Sequence, residues 1–262
     1  IFIKSIFRKK KKNSSFNRLC FGLLSALYLK KNNSLIITRS LFCSFFLTLF
    51  KKKHFLEIHN KIQGISKIIF LFFGFLKSKY IERVIFITKP LKQFYKNKYN
   101  KSIILPDGVD IRDFQNKKKI KKNIKNILYI GSFYKGRGID LILEISKILK
   151  NKCFELVGNR KNISKKNFVN LKNVKISNFV KYQFVSEKIL KADLLLMPYN
   201  PEFVGINSEN ASSETSKIMS PLKMFEYLAS GVPLISSDIK VLKEILSDNF
   251  NCLMINKYHS TD

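Results

Sequence analysis

The sequence predicts an α/β protein made of two parallel-sheet, Rossmann-like halves. Three observations point there. Short apolar runs alternate with segments of helical period, a lysine-rich interval without periodicity interrupts them at 116–126, and the alternation then resumes more cleanly.

In the first half, Leu19, Leu23, Ala26 and Leu27 recur at helical spacing between Arg18 and Leu29, and Ser34–Thr38 follows as a short buried strand. Leu41–Phe50 suits a helix, Phe55–Ile58 a strand, Ile65–Lys79 a helix, Val84–Thr88 a strand, Leu91–Lys98 a helix and Ile103–Leu105 a strand. Pro106-Asp107-Gly108 is a turn. The six lysines of 116–126 make that interval a solvated linker, so the predicted domains are 1–115 and 127–262.

The second half predicts strand Ile127–Ile130, helix Ile139–Lys150, strands Phe154–Val157 and Val174–Ile176, helix Phe184–Lys191 and strand Asp193–Met197. A helix at 221–230, strand Pro233–Ser236, helix Lys240–Leu246 and strand Cys252–Ile255 complete it. Strand and helix in regular alternation mean parallel strands covered by helices.

The chain has 262 residues and a formal net charge of +31. Such a charge raises nucleic acid or an anionic membrane as partners. Its distribution is uneven: residues 1–126 carry 30 Lys+Arg against 5 Asp+Glu, and residues 127–262 carry 19 against 13. Abundant Lys, Asn, Ile and Phe also match what an AT-rich genome produces. That bias explains a high mean better than it explains the contrast. No helix-turn-helix, RNP or zinc-finger pattern accompanies the charge, which argues against nucleic acid.

Cys20, Cys43, Cys153 and Cys252 are widely spaced with no C-x-x-C pair, and His54, His59 and His259 show no ligand spacing, so neither a metal nor a cofactor is expected. A reduced, cytoplasmic compartment fits. The apolar runs Leu41–Phe50 and Ile68–Leu76 fall short of the roughly 18–20 residues that cross a bilayer. The basic stretch Arg8–Lys12 lacks a signal-peptide pattern, and a start at Ile1 suggests a piece of a longer chain.

Two segments concentrate chemistry. In MSPLKMFEYLASGVPLISSD (219–238), Ser220 is a candidate N-cap, Pro221 suits the first helical position and Gly231 marks the end. Pro221, Met224, Phe225 and Leu228 face one side, and Lys223, Glu226 and Ser230 the other. An anion such as a diphosphate would suit the helix start beside Lys223, although Lys223 and Glu226 could equally be a solvated pair. The second segment, Gly131-Ser-Phe-Tyr-Lys-Gly136-Arg137-Gly138, joins a strand to a helix and could bring amides to a phosphate, or be a plain tight turn. It is neither a Walker A loop nor G-x-G-x-x-G.

The 219–238 segment resembles the donor-site signature of glycosyltransferase family 4, the group 1 glycosyltransferases. Three further stretches resemble the same family in its order: ILPDGVDIRDF at 104–114, NILYIGSFYKGRGIDLILE at 126–144 and ADLLLMPY at 192–199. The resemblance spans about residues 34–255. It implies a GT-B fold, two Rossmann-like domains facing across a cleft, with the donor site on the C-terminal domain, the acceptor site on the N-terminal one, and the N-terminal domain incomplete here.

Residue by residue, the resemblance places Arg137 on the donor diphosphate, within the loop bounded by Gly131 and Gly138. Ser132 stands where a second cation is usual, so Lys223 or Lys135 would compensate. Glu226 matches a glutamate that binds the nucleotide ribose, while Ile218 replaces the family's other glutamate and leaves sugar recognition to amides near Ser216–Ser220. Gly108 matches an interdomain turn near the donor. Tyr199 ends a strand at the ligand edge, or is packing. Phe55-Leu-Glu57-Ile-His59 resembles a strand-end segment whose histidine borders the cleft, making His59 the catalytic candidate, although a histidine after a strand is also a common loop residue.

The activity implied is retaining, metal-independent transfer of a hexose from a nucleotide-diphosphate sugar to an acceptor hydroxyl in cell-envelope polysaccharide or glycolipid synthesis. The acceptor would be lipid-linked or a saccharide, and the basic first half would dock peripherally on anionic membrane at the inner face of the plasma membrane. The alternatives are an inactive truncated fragment and a basic nucleic-acid-binding protein.

Overall fold

A computed structural model describes residues 15–31, 34–115, 122–159, 170–202, 204–205 and 211–256. The chain divides into two units, Ile1–Pro106 and Asp107–Asp262. The division falls before the turn rather than after residue 115, because Phe114 is buried in the core of the second unit. Most of the predicted linker, along with Arg8–Lys12 and His259, lies outside the described residues.

The first unit is a parallel sheet in the order β1 (Ile37–Thr38), β2 (His54–Ile58), β3 (Ile81–Phe86), β4 (Ser102–Ile104). Helix α1 (Ser15–Lys30) packs on α2 (Leu41–Leu49), around Ala26, Ile36, Cys43 and Leu47. The predicted helix 65–79 is instead a short α3 (Gly64–Lys67) running into a π turn, Ile68–Phe72, then a 3-10 turn at Phe75–Lys77. Gly74, in left-handed conformation, breaks the run. Helix α4 (Lys89–Phe94) is capped by the Thr88 hydroxyl.

A buried polar pin ties α2 to β2. Ser44 Oγ lies 2.7 Å from His54 Nε2, and His54 Nδ1 donates to the Lys52 carbonyl at 2.9 Å. Burial holds the His54 pKa below its ordinary 6.5. A lowered folded-state pKa means that the stabilisation is present above the ordinary histidine range and lost as pH falls through the folded value. The unfolding midpoint is therefore expected to fall as the medium is acidified below about pH 6.5, and His54→Asn to flatten that slope. An unchanged slope in the variant would assign the acid sensitivity elsewhere.

The second unit is a six-stranded parallel sheet in the order β12-β11-β8-β5-β6-β7. Its members are β5 (Asn126–Ile130), β6 (Cys153–Val157), β7 (Val174–Ser177), β8 (Leu194–Met197), β11 (Leu234–Ser237) and β12 (Leu253–Ile255). Renumbered within the unit this is the 3-2-1-4-5-6 order of a doubly wound dinucleotide-type sheet. Helices α5 (Ile139–Ile148), α6 (Val185–Lys191) and α8 (Leu222–Ser230) cover it. Its strands read as near-continuous apolar runs because both faces are covered; Leu128, Phe154, Leu156, Leu195 and Met197 are at most 2% exposed.

Two further departures are local. The predicted helix 240–246 is only a 3-10 turn, Leu242–Glu244. Nothing in the residue pattern announces the pair β9 (Val204–Gly205) and β10 (Ala211–Ser212), or α7 (Ser213–Ile218) that follows them.

Candidate functional site

Strands β5 and β8 are neighbours, and the strand order reverses between them. In open α/β sheets the crevice at the carboxyl ends of such a pair is where ligands bind, because the connections leave in opposite directions and part there. The Gly131–Gly138 loop leaves β5, and Pro198 and Tyr199 leave β8. The two loops are tied together by the Asn200 amide, which donates to the Gly136 carbonyl at 2.9 Å.

Gly138 has φ +80°, and a Cβ there would stand 1.9 Å from the Pro198 carbonyl oxygen. Glycine alone lets α5 begin this close to the end of β8. The first turn of α5 brings amides without intrahelical partners to the crevice, the arrangement that suits an anion.

Helix α8 closes the other side. Met224 and Tyr227 are buried, and the Tyr227 hydroxyl accepts from the Ile130 amide at 3.0 Å, holding α8 to the end of β5. This anchorage carries Lys223 across the strand end. Its Nζ lies 3.8 Å from the Tyr129 ring centroid and 5.3 Å from that of Tyr199. It sits so near Gly131 that a Cβ there would be 2.3 Å away.

The ammonium is buried with no hydrogen-bond partner among the described residues. Burial lowers the Lys223 pKa well below the ordinary lysine value, the nearby Arg137 charge lowers it further, and Glu226 opposes both. Arg137 shares the aromatic wall, its Cζ 4.7 Å from the Tyr199 centroid. Glu226 is 7% exposed, and burial raises its pKa against the pull of Lys223. Lys223 and Glu226 are therefore not a solvated surface pair. The helix turns both inward, so that two cations and one carboxylate converge beside a glycine loop.

The structure thus brings Gly131, Arg137, Gly138, Tyr199, Lys223 and Glu226 together. Tyr199 is fully buried, and its ring faces both the Arg137 guanidinium and Lys223 Nζ. Ser220 does not cap α8: Pro221 holds the N-cap position, and Ser220 Oγ instead accepts from the Asp107 amide at 3.4 Å. That bond sets the 107–108 turn beside the start of α8. Gly108 itself is exposed, and a Cβ there would meet nothing within 4 Å. Ile218, where the resemblance looks for a carboxylate, is buried at the end of α7.

His59 belongs to the first unit, just beyond β2. The Arg39 guanidinium donates to its Nδ1 at 2.9 Å, which leaves the proton on Nε2 to be given to Glu57. Its ring is thus oriented from both sides. Sequence reasoning missed Arg39, Tyr129 and Tyr227. Tyr129 is the informative omission, because its ring lies under Lys223 while its hydroxyl donates to the Ser132 carbonyl at 2.8 Å and so shapes the loop. An aromatic residue two positions before the first glycine of the loop is the available signal.

Two clefts of the second unit open at the opposite, amino-terminal ends of the strands, with Asn126, Cys153 and Val174 in the walls of one. Topology assigns the site to the carboxyl ends: the opposite edge lacks the glycine loop, and of the lysines that line it, Lys172, Lys175, Lys188 and Lys191, the last two are paired with Glu155 and Glu187.

The model of the family described as glycosyl transferases group 1 matches residues 124–262, more than half of the chain. The chain belongs to the group 1 glycosyltransferases. A Klebsiella pneumoniae relative, an uncharacterized 41.2 kDa protein in a cps region, is 26% identical over 148 residues, covering 54% of this chain and 35% of the relative. An uncharacterized glycosyltransferase of Methanocaldococcus jannaschii is 24% identical over 186 residues, covering 69% of this chain and 47% of the relative. The chain therefore matches less than half the length of either curated relative. Among solved structures, Anabaena HepE in complex with UDP aligns with a TM-score of 0.66 at 13% identity, covering 95% of this chain and 71% of HepE. HepE has also been solved with UDP-glucose. At such identity the likeness shows the fold, which is that of GT-B glycosyltransferases.

Proposed function

We propose that this group 1 glycosyltransferase transfers a hexose from a nucleotide-diphosphate sugar to an acceptor hydroxyl, with retention and without a metal. The observation that carries this reading is the buried Lys223 ammonium, lacking a hydrogen-bond partner among the described residues and aimed at the Gly131 loop where the strand order reverses. A buried cation of that kind is costly unless an anion completes it.

Arg137 offers a bidentate fork to the same diphosphate, so two fixed cations can carry the leaving-group charge that a divalent ion would otherwise neutralise. Positive groups already oriented toward charge that grows in the transition state are the largest catalytic contribution such a site can make. Glu226 would accept hydrogen bonds from the ribose hydroxyls. Its raised pKa is countered once Lys223 is held charged by the donor. His59, oriented by Arg39 and Glu57, is the residue proposed to meet the transferred sugar or the acceptor.

The UDP and UDP-glucose complexes of HepE support a uridine-type donor. The relative encoded in a cps region supports a role in cell-envelope polysaccharide or glycolipid synthesis. Among the described residues no helix is long and apolar enough to cross a membrane, so an acceptor held in lipid would be met from the membrane surface.

Saturation-transfer NMR against UDP-, GDP- and ADP-sugars tests the donor. One of the three is expected to bind in the presence of EDTA, and Glu226→Ala or Arg137→Ala to remove that binding while the fold persists by circular dichroism. Binding of none of them, or binding indifferent to both substitutions, would overturn the donor site.

A further inference from the structure

The segment between β2 and β3 carries its apolar residues outward. In α3 and the π turn that continues it, Ile65 is 63% exposed, Ile68 53%, Phe72 82% and the adjoining Phe73 66%. Residues 65, 68 and 72 recur at spacings of three and four and so share one face. The wider π turn, closed by the Phe73 amide on the Ile68 carbonyl at 3.1 Å, brings Phe73 round beside them. Phe70, 1% exposed, and the buried Ser66 take the inward side. An ordinary surface helix would show the reverse pattern.

The charges around this face are of one sign. From His59 to Ile81 there is no Asp or Glu, while Lys61, Lys67, Lys77 and Lys79 fall within the interval. Lys67, between Ile65 and Ile68 in the chain, and Lys77, shortly after Phe73, are both exposed. Lys61 extends its ammonium over the ring of Phe94, which is itself 51% exposed on α4, at 4.1 Å from the centroid. Large exposed apolar side chains interspersed with exposed lysines, with no carboxylate in the segment, match the acyl boundary and the phosphate layer of an anionic bilayer. A second copy of this face would have to set acidic groups opposite the lysines, and the interval 59–81 supplies none.

We propose that the face formed by Ile65, Ile68, Phe72 and Phe73, with the exposed Lys67 and Lys77 of the same segment, is a monotopic docking surface for anionic membrane. The inference deepens the reading of a lipid-linked acceptor and rests on it. It locates attachment in described residues of the first unit.

The experiment is co-sedimentation of the 262-residue chain with vesicles of phosphatidylcholine alone or with 30% phosphatidylglycerol added, at ~0.15 M salt where screening acts over about 8 Å. UDP-sugar binding is measured on the same samples. The partition coefficient is expected to rise at least tenfold with phosphatidylglycerol, and to fall at least tenfold in Phe72→Ser/Phe73→Ser and several-fold in Lys67→Glu/Lys77→Glu, with donor binding unchanged in both. Equal partition by wild type and the Phe72/Phe73 variant would overturn the surface, as would equal binding to both vesicle types. Failure to sediment together with a dimer in light scattering that the Phe72/Phe73 variant dissolves would give the face to a second copy, also overturning it. Loss of donor binding in wild type would sink the transferase reading and leave the vesicle result standing.

Discussion

Replacing Lys223 with methionine is expected to move binding and stability in opposite directions. The ammonium is buried without a hydrogen-bond partner among the described residues, beside the like charge of Arg137. A methionine of similar length fills the same space against Tyr129 and Tyr199 without that desolvation cost. Removing a buried ionisable group in favour of a well-packed apolar chain stabilises by about 1 kcal/mol or more, each kcal/mol being worth about 2–4 °C in a chain of this size. The same change removes a charged partner of the diphosphate, a contact worth about 1.5–3 kcal/mol, so UDP should bind roughly 10- to 100-fold more weakly.

The pH dependence has a defined sign. Because the folded-state pKa of Lys223 is depressed, the unfolded chain takes up a proton in a range where the folded protein refuses it. Wild-type stability should therefore rise with pH across that window, and Lys223→Met should lack this component. Donor binding should draw a proton onto Lys223, detectable as a dependence of calorimetric heat on buffer ionisation enthalpy. A variant that melts lower and binds UDP as well as wild type would refute this account of the site.

Gly138→Ala should be among the most damaging single-atom changes in the chain. The backbone there is left-handed at φ +80°, and the added carbon would lie 1.9 Å from the Pro198 carbonyl oxygen, a backbone atom that cannot swing aside. Left-handed backbone costs an L-residue about 1–2 kcal/mol, and overpacking adds about 1–3 kcal/mol. The start of α5 must shift away from β8, so urea denaturation should show a lower midpoint and UDP affinity should fall with it. Gly108→Ala is the matched control. Its added carbon meets nothing within 4 Å and its φ is not positive, so its effect should stay within about 0.5 kcal/mol. Equal midpoints for the two variants would show that the loop is not held as described.

Much of the second unit was legible in the sequence because its strands are buried on both faces, so that Ile127–Ile130, Phe154–Val157 and Leu194–Met197 stand out as unbroken apolar runs. The failures share a cause. Helix 65–79 and helix 240–246 were inferred from apolar content. Whether an apolar stretch continues as α-helix depends on what its faces meet and on a backbone break such as Gly74, neither of which periodicity records. Ser220 was a sound cap by residue type, and it lost that role because a turn more than a hundred residues away supplied a better use for its hydroxyl.

By itself the sequence determined the alternating α/β order, the glycine loop, the α8 segment and the candidate residues of the donor site. Those are properties of local spacing and residue type. Only the tertiary structure decided that Lys223 and Glu226 point inward, that Tyr129 and Tyr199 form the wall shared by the cations, and that an apolar face around Phe72 is left uncovered. The direction of a side chain from a helix is fixed by what anchors that helix. Here the anchor is the Tyr227 hydroxyl on the Ile130 amide, a contact between residues 97 positions apart.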